Sequence, residues 1–436
     1  MKPLKIGLLG LGTVGLATYQ VLKRNQNEIV RRTGRGMVIS MVADLDTVRA
    51  QQLVDSDCEV VADAHQIIAN PEIDVVVELI GGYGVAHDLV MAAIQAGKHV
   101  VTANKALLAV KGQSIFETAQ QHHVVIGFEA AVAGGIPIIK SLRESLTANQ
   151  IQWVAGIING TTNFILSEMR EKGISFEAAL SQAQSLGYAE ADPTFDIQGV
   201  DAAHKISIMS SISFGIPMSF EHVYIEGITE LQSQDIEFAG QLGYRIKLLG
   251  ITKKTNQGVE LRVHPSLVSE KSLIASVEGA MNGVMVHADA VGTTMYYGKG
   301  AGGEPTASAV IADLIDITRL QSSQAQPAVP PLAFQPQSML SASIMSIDEV
   351  VTCHYLRLGV ADQAGVLASV TSILAEFQIS IDAMLQQPTA HGQDQTELVI
   401  LTHAAQESVM KQALKKIEQL PTVLAPVVRI RKEDLS

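Results

Sequence analysis

An apolar run spans residues 4–9, with glycines at 10, 12 and 15 and an amphipathic stretch from 16 to 32 after it. The run predicts a buried strand, and the apolar spacing beyond it predicts a helix lying over that strand. The same alternation continues to residue 130. Strands are predicted at 37–43, 58–62, 74–80, 99–103 and 124–128, with helices between them, including 87–96 and 106–122. The stretch "DVVVELI" carries its β-branched residues on both faces, as a fully buried strand does. Strands alternating with helices predict a parallel sheet covered on both faces, a doubly wound α/β domain over residues 1–130.

The pattern then changes. Helices are predicted at 162–172, 176–186 and 200–214, and strands at 244–252, 259–265 and 283–290. These describe an α+β domain over 131–305. A further helix at 306–320 is a candidate to return to the first domain. Residues 321–345 form an expected linker, with Pro327, Pro330, Pro331 and Pro336 among Gln, Ser and Ala. From 350 to 436 the order is strand 353–360, helix 365–377, strands 380–386 and 397–402, helix 405–420 and strand 423–430. This βαββαβ unit is expected to stand apart, with sheet edges left for a second copy to cover.

Composition narrows the classes of function. A chain of 436 residues, 47% hydrophobic and 17% charged, has room for two or three domains. Its net charge of −13 argues against nucleic acid, whose binding rests on neutralising phosphates. Two cysteines, Cys58 and Cys353, fit a reduced compartment, so a cytoplasmic location is expected. No apolar run reaches the ~18 residues of a membrane span.

The opening glycines fit the G-x-G-x-x-G dinucleotide pattern in a strand–turn–helix context, which makes the first domain Rossmann-type. Gly10 allows the tight turn, Gly12 lets backbone approach a pyrophosphate and Gly15 lets the helix pack on the strand. Thr13 and Val14 open the helix, where free N–H groups face phosphate. Asp44 ends the second strand. Lys105 follows the strand "HVVTAN", so it is either a helix-start lysine or a ligand-facing charge at the carboxyl end of the sheet. Glu129 precedes a glycine-rich stretch and reads as a cation ligand or as a turn residue. Glu190, Asp192 and Asp196 cluster beside Gly187 and Pro193, as solvated loop acids or as a site. Asp201 and Lys205 share one helix face, as an ordinary i, i+4 ion pair or as a proton-transfer pair set among small apolar neighbours. Residues 298–306 form a second glycine-rich loop entering a helix.

Together these segments resemble homoserine dehydrogenases. The resemblance runs through "GLGTVG", "NPEIDVVVELIGG", "AGKHVVTANKALLA", "EAAVAGGIPIIKSLRE", "GIINGTTNFIL", "GYAEADPTFDIQGVDAAHK" and "GAGGEPTASAV". The tail, with "LRLGVADQAGVLASVTSILAE" and "ISIDAMLQQ", resembles an ACT regulatory domain. The motif begins so near the first residue that a monofunctional member without a fused aspartate kinase is expected. The resemblance implies reversible reduction of L-aspartate 4-semialdehyde to L-homoserine with NAD or NADP, in threonine and methionine biosynthesis. It implies that Lys205 is the general acid, that Asp201 orients it or binds substrate, and that Lys105 lies between nicotinamide and substrate. Glu190 would hold the substrate ammonium, with Asp196 and Gly187 beside it. Gly187 and Gly302 fall on cofactor-contacting positions. Glu129, with backbone groups of Val132, Gly134 and Ile136, matches a sodium site. The middle domain would also carry dimerisation, giving a homodimer or homotetramer, and threonine would be the first candidate effector.

Two departures from the family pattern matter. Ala43 stands where members preferring NADP often carry arginine, so Asp44 suits a ribose hydroxyl and NAD use. The tail loop reads Asp362-Gln363-Ala364-Gly365, without the usual proline. A thioester-forming semialdehyde dehydrogenase would need a cysteine nucleophile in the substrate domain, and Cys58 and Cys353 both lie outside it. A non-catalytic sensor would not need Lys105, Glu190, Asp201 and Lys205 together. A chain cut near residue 340 is expected to keep catalysis and lose effector inhibition.

Overall fold

The computed structural model describes residues 2–323, 329–386 and 394–435. Linker residues 324–328, including Pro327, and Gln387 at the end of the tail motif lie outside them. The chain divides into two compact units: residues 1–160, 201–223 and 280–342, and residues 161–200, 224–279 and 343–436. Among the described residues no helix is long and apolar enough to cross a membrane.

The first unit begins with β1 (Leu4–Leu9), α1 (Thr13–Arg24), α2 (Gln26–Thr33) and β2 (Met37–Ala43). The single long helix expected over 16–32 is broken at Asn25, and α2 ends in a left-handed Gly34 (φ +70°). Next come α3 (Thr47–Leu53), β3 (Glu59–Val61), α4 (Ala64–Ala69), β4 (Val75–Glu78), α5 (Val85–Gln95), β5 (His99–Thr102), α6 (Lys105–Gln121) and β6 (Ile126–Gly127). The strands form one parallel sheet in the order β3-β2-β1-β4-β5-β6. The chain reverses direction across the sheet between β1 and β4, and ligands bind at such a crevice. A short α7 (Ile138–Lys140) and β7 (Ile151–Ile157) lead to α8 (Gly160–Lys172).

The second unit contains α8 beyond its first residue, α9 (Phe176–Ser185) and α10 (Thr194–Ile197). Helix α11 (Val200–Phe214) has the bounds predicted from sequence, and all of its residues after Val200 belong to the first unit. Its hydrophobicity runs all round and every residue from Asp201 to Phe214 is buried, as in a core helix. The second unit resumes with β8 (Tyr224–Ile225), α12 (Ser233–Gln241), β9 (Tyr244–Lys254) and β10 (Val259–Ser269). In the first unit β11 (Met281–Ala288) pairs antiparallel with β7 and with β12 (Gly292–Lys299). Helix α13 (Gly303–Ser323) packs Ala307, Val310, Leu314 and Ile317 into the same core as Leu4, Ile6 and Leu8 of β1.

The tail consists of β13 (Val351–Ala361), α14 (Val366–Glu376), β14 (Ile381–Gln386), β15 (Gln395–Thr402), β16 (Ala405–Gln406), α15 (Glu407–Ile417) and β17 (Val428–Glu433). Its sheet has the order β17-β13-β15-β14, and both helices pack on one face through Val370, Ile373, Met410 and Ile417. The expectation of a tail standing apart is corrected here. Strand β17 pairs parallel with β10, joining Ser266 to Arg431 and Val268 to Glu433. One of its two edges is therefore already covered within the chain. Buried ion pairs reinforce the seam: Arg262 binds Glu433, and Arg357 Nε donates to Asp235 Oδ1 of α12 at 2.6 Å.

Candidate active site

Four residues of the first unit meet around one carboxylate. Lys205 Nζ donates to Asp201 Oδ2 at 2.7 Å, as their one-turn spacing on α11 predicts, and to Ile158 O at 2.7 Å. Asn159 Nδ2 donates to the same Oδ2 at 2.8 Å, and Lys105 Nζ stands 3.2 Å from Oδ1. Burial opposes the charge on Asp201. Lys205 and Lys105, with the hydrogen bonds from Lys205 and Asn159, nevertheless hold its carboxyl far below the usual range. Next to it the His204 ring packs at a tilt against Phe220, with ring centroids 4.2 Å apart. Burial brings its imidazole down to about 4, so His204 is neutral near pH 7.

Lys105 owes its place to the carboxyl ends of β4 and β5. Glu78, fully buried, accepts from Ile80 N (2.8 Å), Gly81 N (2.9 Å) and Thr102 Oγ1 (2.6 Å). Thr102 Oγ1 accepts from Asn104 N at 3.0 Å. Asn104 caps α6 by accepting from Leu107 N, and its amide donates to Gly82 O. This chain of bonds fixes both the 80–82 loop and the first turn of α6, where Lys105 stands.

The dinucleotide motif meets its geometric demands. Gly10 has φ +91°, and a Cβ on Gly15 would lie 2.1 Å from Gly10 O. Gly12 and Thr13 are exposed at the start of α1, with no side chain capping it. Val14 O accepts from Thr18 Oγ1 inside the helix. Gly302 (φ +114°) brings in α13, and a Cβ on Gly303 would lie 3.1 Å from Thr13 O. Two helix N-termini thus stand side by side over the glycine turn, a site that favours phosphate. Asp44 Oδ2 accepts from Leu11 N at 2.7 Å, so the acid is tied to the same turn. Arg49 Nη1 reaches Leu11 O at 3.4 Å.

Glu129 is buried, and its two oxygens accept from Ile139 N (2.9 Å) and Lys140 N (2.8 Å). Asp313 of α13 accepts from Glu129 N at 2.9 Å. Burial and the neighbouring Asp313 push the Glu129 carboxyl up to about 7, and burial raises Asp313 to about 6. Ala133 (φ +56°) and Gly134 (φ +48°) turn the chain beside it. Ile136 O accepts from Ile138 N.

The remaining predicted site residues, Gly187, Glu190 and Asp196, lie in the second unit. Glu190 is exposed after α9, and Gln184 Nε2 donates to its backbone oxygen at 3.2 Å. Asp196 is half-buried in α10, and Gly187 (φ +75°) ends the turn after α9.

Comparison with known proteins places this geometry. Residues 10–129 match the family model described as homoserine dehydrogenase, NAD binding domain, and residues 137–315 match homoserine dehydrogenase. The chain belongs to the homoserine dehydrogenase family. Residues 354–422 match the ACT domain. The chain is similar to the homoserine dehydrogenases of Pseudomonas aeruginosa (52% identical over 437 residues) and Neisseria gonorrhoeae (53% over 435), each covering 100% of both chains. It is also similar to the crystal structure of a homoserine dehydrogenase from Thiobacillus denitrificans, with 55% identity and a TM-score of 0.95. That match covers 100% of this chain and 99% of the other. As a homoserine dehydrogenase the chain is an NAD(P)-dependent oxidoreductase acting on a CH–OH group, interconverting L-aspartate 4-semialdehyde and L-homoserine.

Sequence reading missed Glu78, Thr102 and Asn104 as parts of the site, and took Asn159 no further than a capping residue at a strand-to-helix junction. Asn104 before an apolar helix was a readable N-cap signal. The others act through partners 24 and 42 positions away, which spacing along the chain does not reveal.

Proposed function

We propose that Lys205 is the general acid and base of this homoserine dehydrogenase. The nicotinamide cofactor, when bound, supplies or accepts the hydride. Lys205 gives a proton to the aldehyde oxygen as the alcohol forms and takes it back in oxidation. Asp201 keeps that amine oriented, and Asn159 keeps Asp201 in place. Lys105 holds the substrate oxygen side of the nicotinamide. Glu190 and Asp196 hold the substrate ammonium, with Gly187 at the border of substrate and cofactor. The observation that carries this reading is the convergence of two ammonium groups on one buried carboxylate. A surface i, i+4 pair would be solvated and worth a few tenths of a kcal/mol. The test is NAD(P)-dependent oxidation of homoserine, measured on the full chain and on substitutions at Lys205.

The residues fit the cofactor. At the turn of Gly10, Gly12, Thr13, Val14 and Gly15, beside Gly302, a Cβ on Gly15 would collide with Gly10 O while one on Gly12 would meet nothing. The helix therefore packs tightly on the strand and leaves the outer side of the turn open to a pyrophosphate. Asp44 favours a ribose hydroxyl and disfavours a 2′-phosphate, so NAD is the preferred or equal partner. The residues also fit a sodium ion. Two buried carboxyls raised toward neutrality gain from a cation, and hard cations take carboxylate and carbonyl oxygens together. Glu129 with the carbonyls of Val132, Gly134 and Ile136 would hold it. We further propose that the ACT domain takes an end-product amino acid, threonine first, and that the enzyme works as a homodimer or homotetramer. Support for assembly comes from β12 and β14, which pair on one side only among the described residues. Exposed edges of this kind invite partners.

A further inference from the structure

The turn that leads into α11 is clamped by the segment after β8. Gly227 has no room for a side chain: a Cβ there would lie 2.4 Å from Ile197 O and 2.7 Å from Gln198 Cα. Ile228 N donates to Ile197 O at 2.9 Å. Gly199 (φ +85°) packs against Ile225 and Val263, whose side chains would lie 3.2 and 3.1 Å from an added Cβ. Residues 225–228 therefore set the position of 197–199, where the acid stretch carrying Glu190 and Asp196 ends.

What holds residues 225–228 is β10 and the last strand of the ACT domain. Strand β8 pairs parallel with β10, and Glu226 N donates to Val263 O at 2.8 Å. Glu226 Oε2 accepts from Arg431 Nη1 (2.8 Å) and from Tyr224 OH (2.8 Å). The Arg431 guanidinium lies 4.9 Å from the Tyr224 ring centroid, and Nη2 reaches Tyr224 OH at 3.2 Å. Arg431 is buried, and Glu407, which accepts from its Nε and Nη2, is shared with Arg429. Glu226 is about one-third exposed, 34% at its side chain. Glu226 therefore helps to balance the buried Arg431, and through Ile228 N its own segment also holds Ile197 O.

We propose that Glu226 is a positioning residue for the substrate side of the reaction, fixing the acid stretch through Gly227 and Ile228 by its bond to Arg431. This rests on the reading that Glu190 and Asp196 hold the substrate ammonium. The ACT domain then supports substrate binding in the absence of any effector.

The test uses the full chain with Glu226→Ala and Glu226→Gln, with Glu190→Gln in parallel. Coupling through a packed relay changes affinity by about threefold to thirtyfold. Glu226→Ala is expected to raise the homoserine KM by at least threefold and to lower the melting temperature, leaving the NAD(P) KM unchanged. Glu226→Gln keeps an acceptor for Arg431 and is expected to restore most of the loss. A homoserine KM unchanged in Glu226→Ala overturns the proposal. So does a rise in both KM values by a similar factor, which marks a merely structural role. If Glu190→Gln raises the homoserine KM and Glu226→Ala does not, the positioning role alone fails. If Glu190→Gln has no effect, the substrate-site reading fails and this inference with it.

Discussion

At Asp201 two ammonium groups and an amide share one carboxylate in a water-poor site. Removing one of them leaves the others in a changed field, so effects there will not add. Lys205→Ala is expected to lower kcat by about 10²–10⁴-fold, the range for a positioned general acid. Steady-state rates within threefold of wild type would remove Lys205 from the chemistry. Asp201 stays ionised across the working pH range because its carboxyl is held far below the usual value. A depressed carboxyl contributes stability above its unfolded value and loses it only as pH falls through the folded one. No limb of a neutral pH–rate profile therefore belongs to Asp201. Cofactor choice is decided at the same scale. With Asp44 on the glycine turn and Ala43 before it, kcat/KM with NAD should equal or exceed that with NADP. A tenfold preference for NADP, worth ~1.4 kcal/mol, would instead assign a 2′-phosphate to Arg49, whose guanidinium already reaches Leu11 O.

Between elements, Glu129 and Asp313 of α13 set two carboxyls side by side in the core. Both are raised, to about 7 and about 6. A raised carboxyl favours folding while protonated and loses that contribution as pH rises through the folded value. Without a cation the chain should therefore lose stability as pH climbs from the ordinary carboxylate range to about 7. For Glu129 alone the shift corresponds to roughly 3 kcal/mol. Sodium bound at Glu129 would reverse it. Melting temperatures in sodium chloride against choline chloride should diverge at pH 8 and coincide near pH 4.5. Equal salt effects at both pH values would refute the sodium site. Which elements were legible follows from their patterns. The buried parallel strands and α11 were readable because apolar runs mark them. Strand β12 was not, because Gly292–Lys299 is a half-exposed edge with small and polar positions. Helix α12 was missed because it is short, Ser233–Gln241, and its N-cap is Gln232 rather than one of the usual Ser, Thr, Asp or Asn signals. The break at Asn25 divides a pattern that reads as one helix. Glu78 was passed over because its partners come from loops and a neighbouring strand.

For the molecule as a whole, the tail was legible as a βαββαβ unit, but its attachment was not, since the pairing of β10 with β17 joins residues far apart in sequence. That pairing changes what truncation should do. Cutting near residue 340 removes β17 from the edge of β10 and leaves Asp235 without Arg357, while Arg262 loses Glu433 and keeps Glu260. Removing one partner of a buried ion pair costs about 3–5 kcal/mol, and a bared inner strand invites aggregation. One such loss is already a large share of the ~5–15 kcal/mol that holds a typical domain together. The truncated chain is therefore expected to be insoluble or inactive, against the sequence-based expectation of an intact catalytic remnant. The regulatory question is better put to the full chain. Calorimetric titration with threonine should show binding, and the same concentrations should inhibit homoserine oxidation. Binding can inhibit only if it favours one arrangement over another. In this fold an arrangement can pass from β17 into β10 and β8 without crossing a loose linker. A soluble, active chain ending near 340 would show that the β10–β17 seam is dispensable. Absence of threonine binding to the full chain would leave the ACT domain as a structural extension of the substrate-domain sheet.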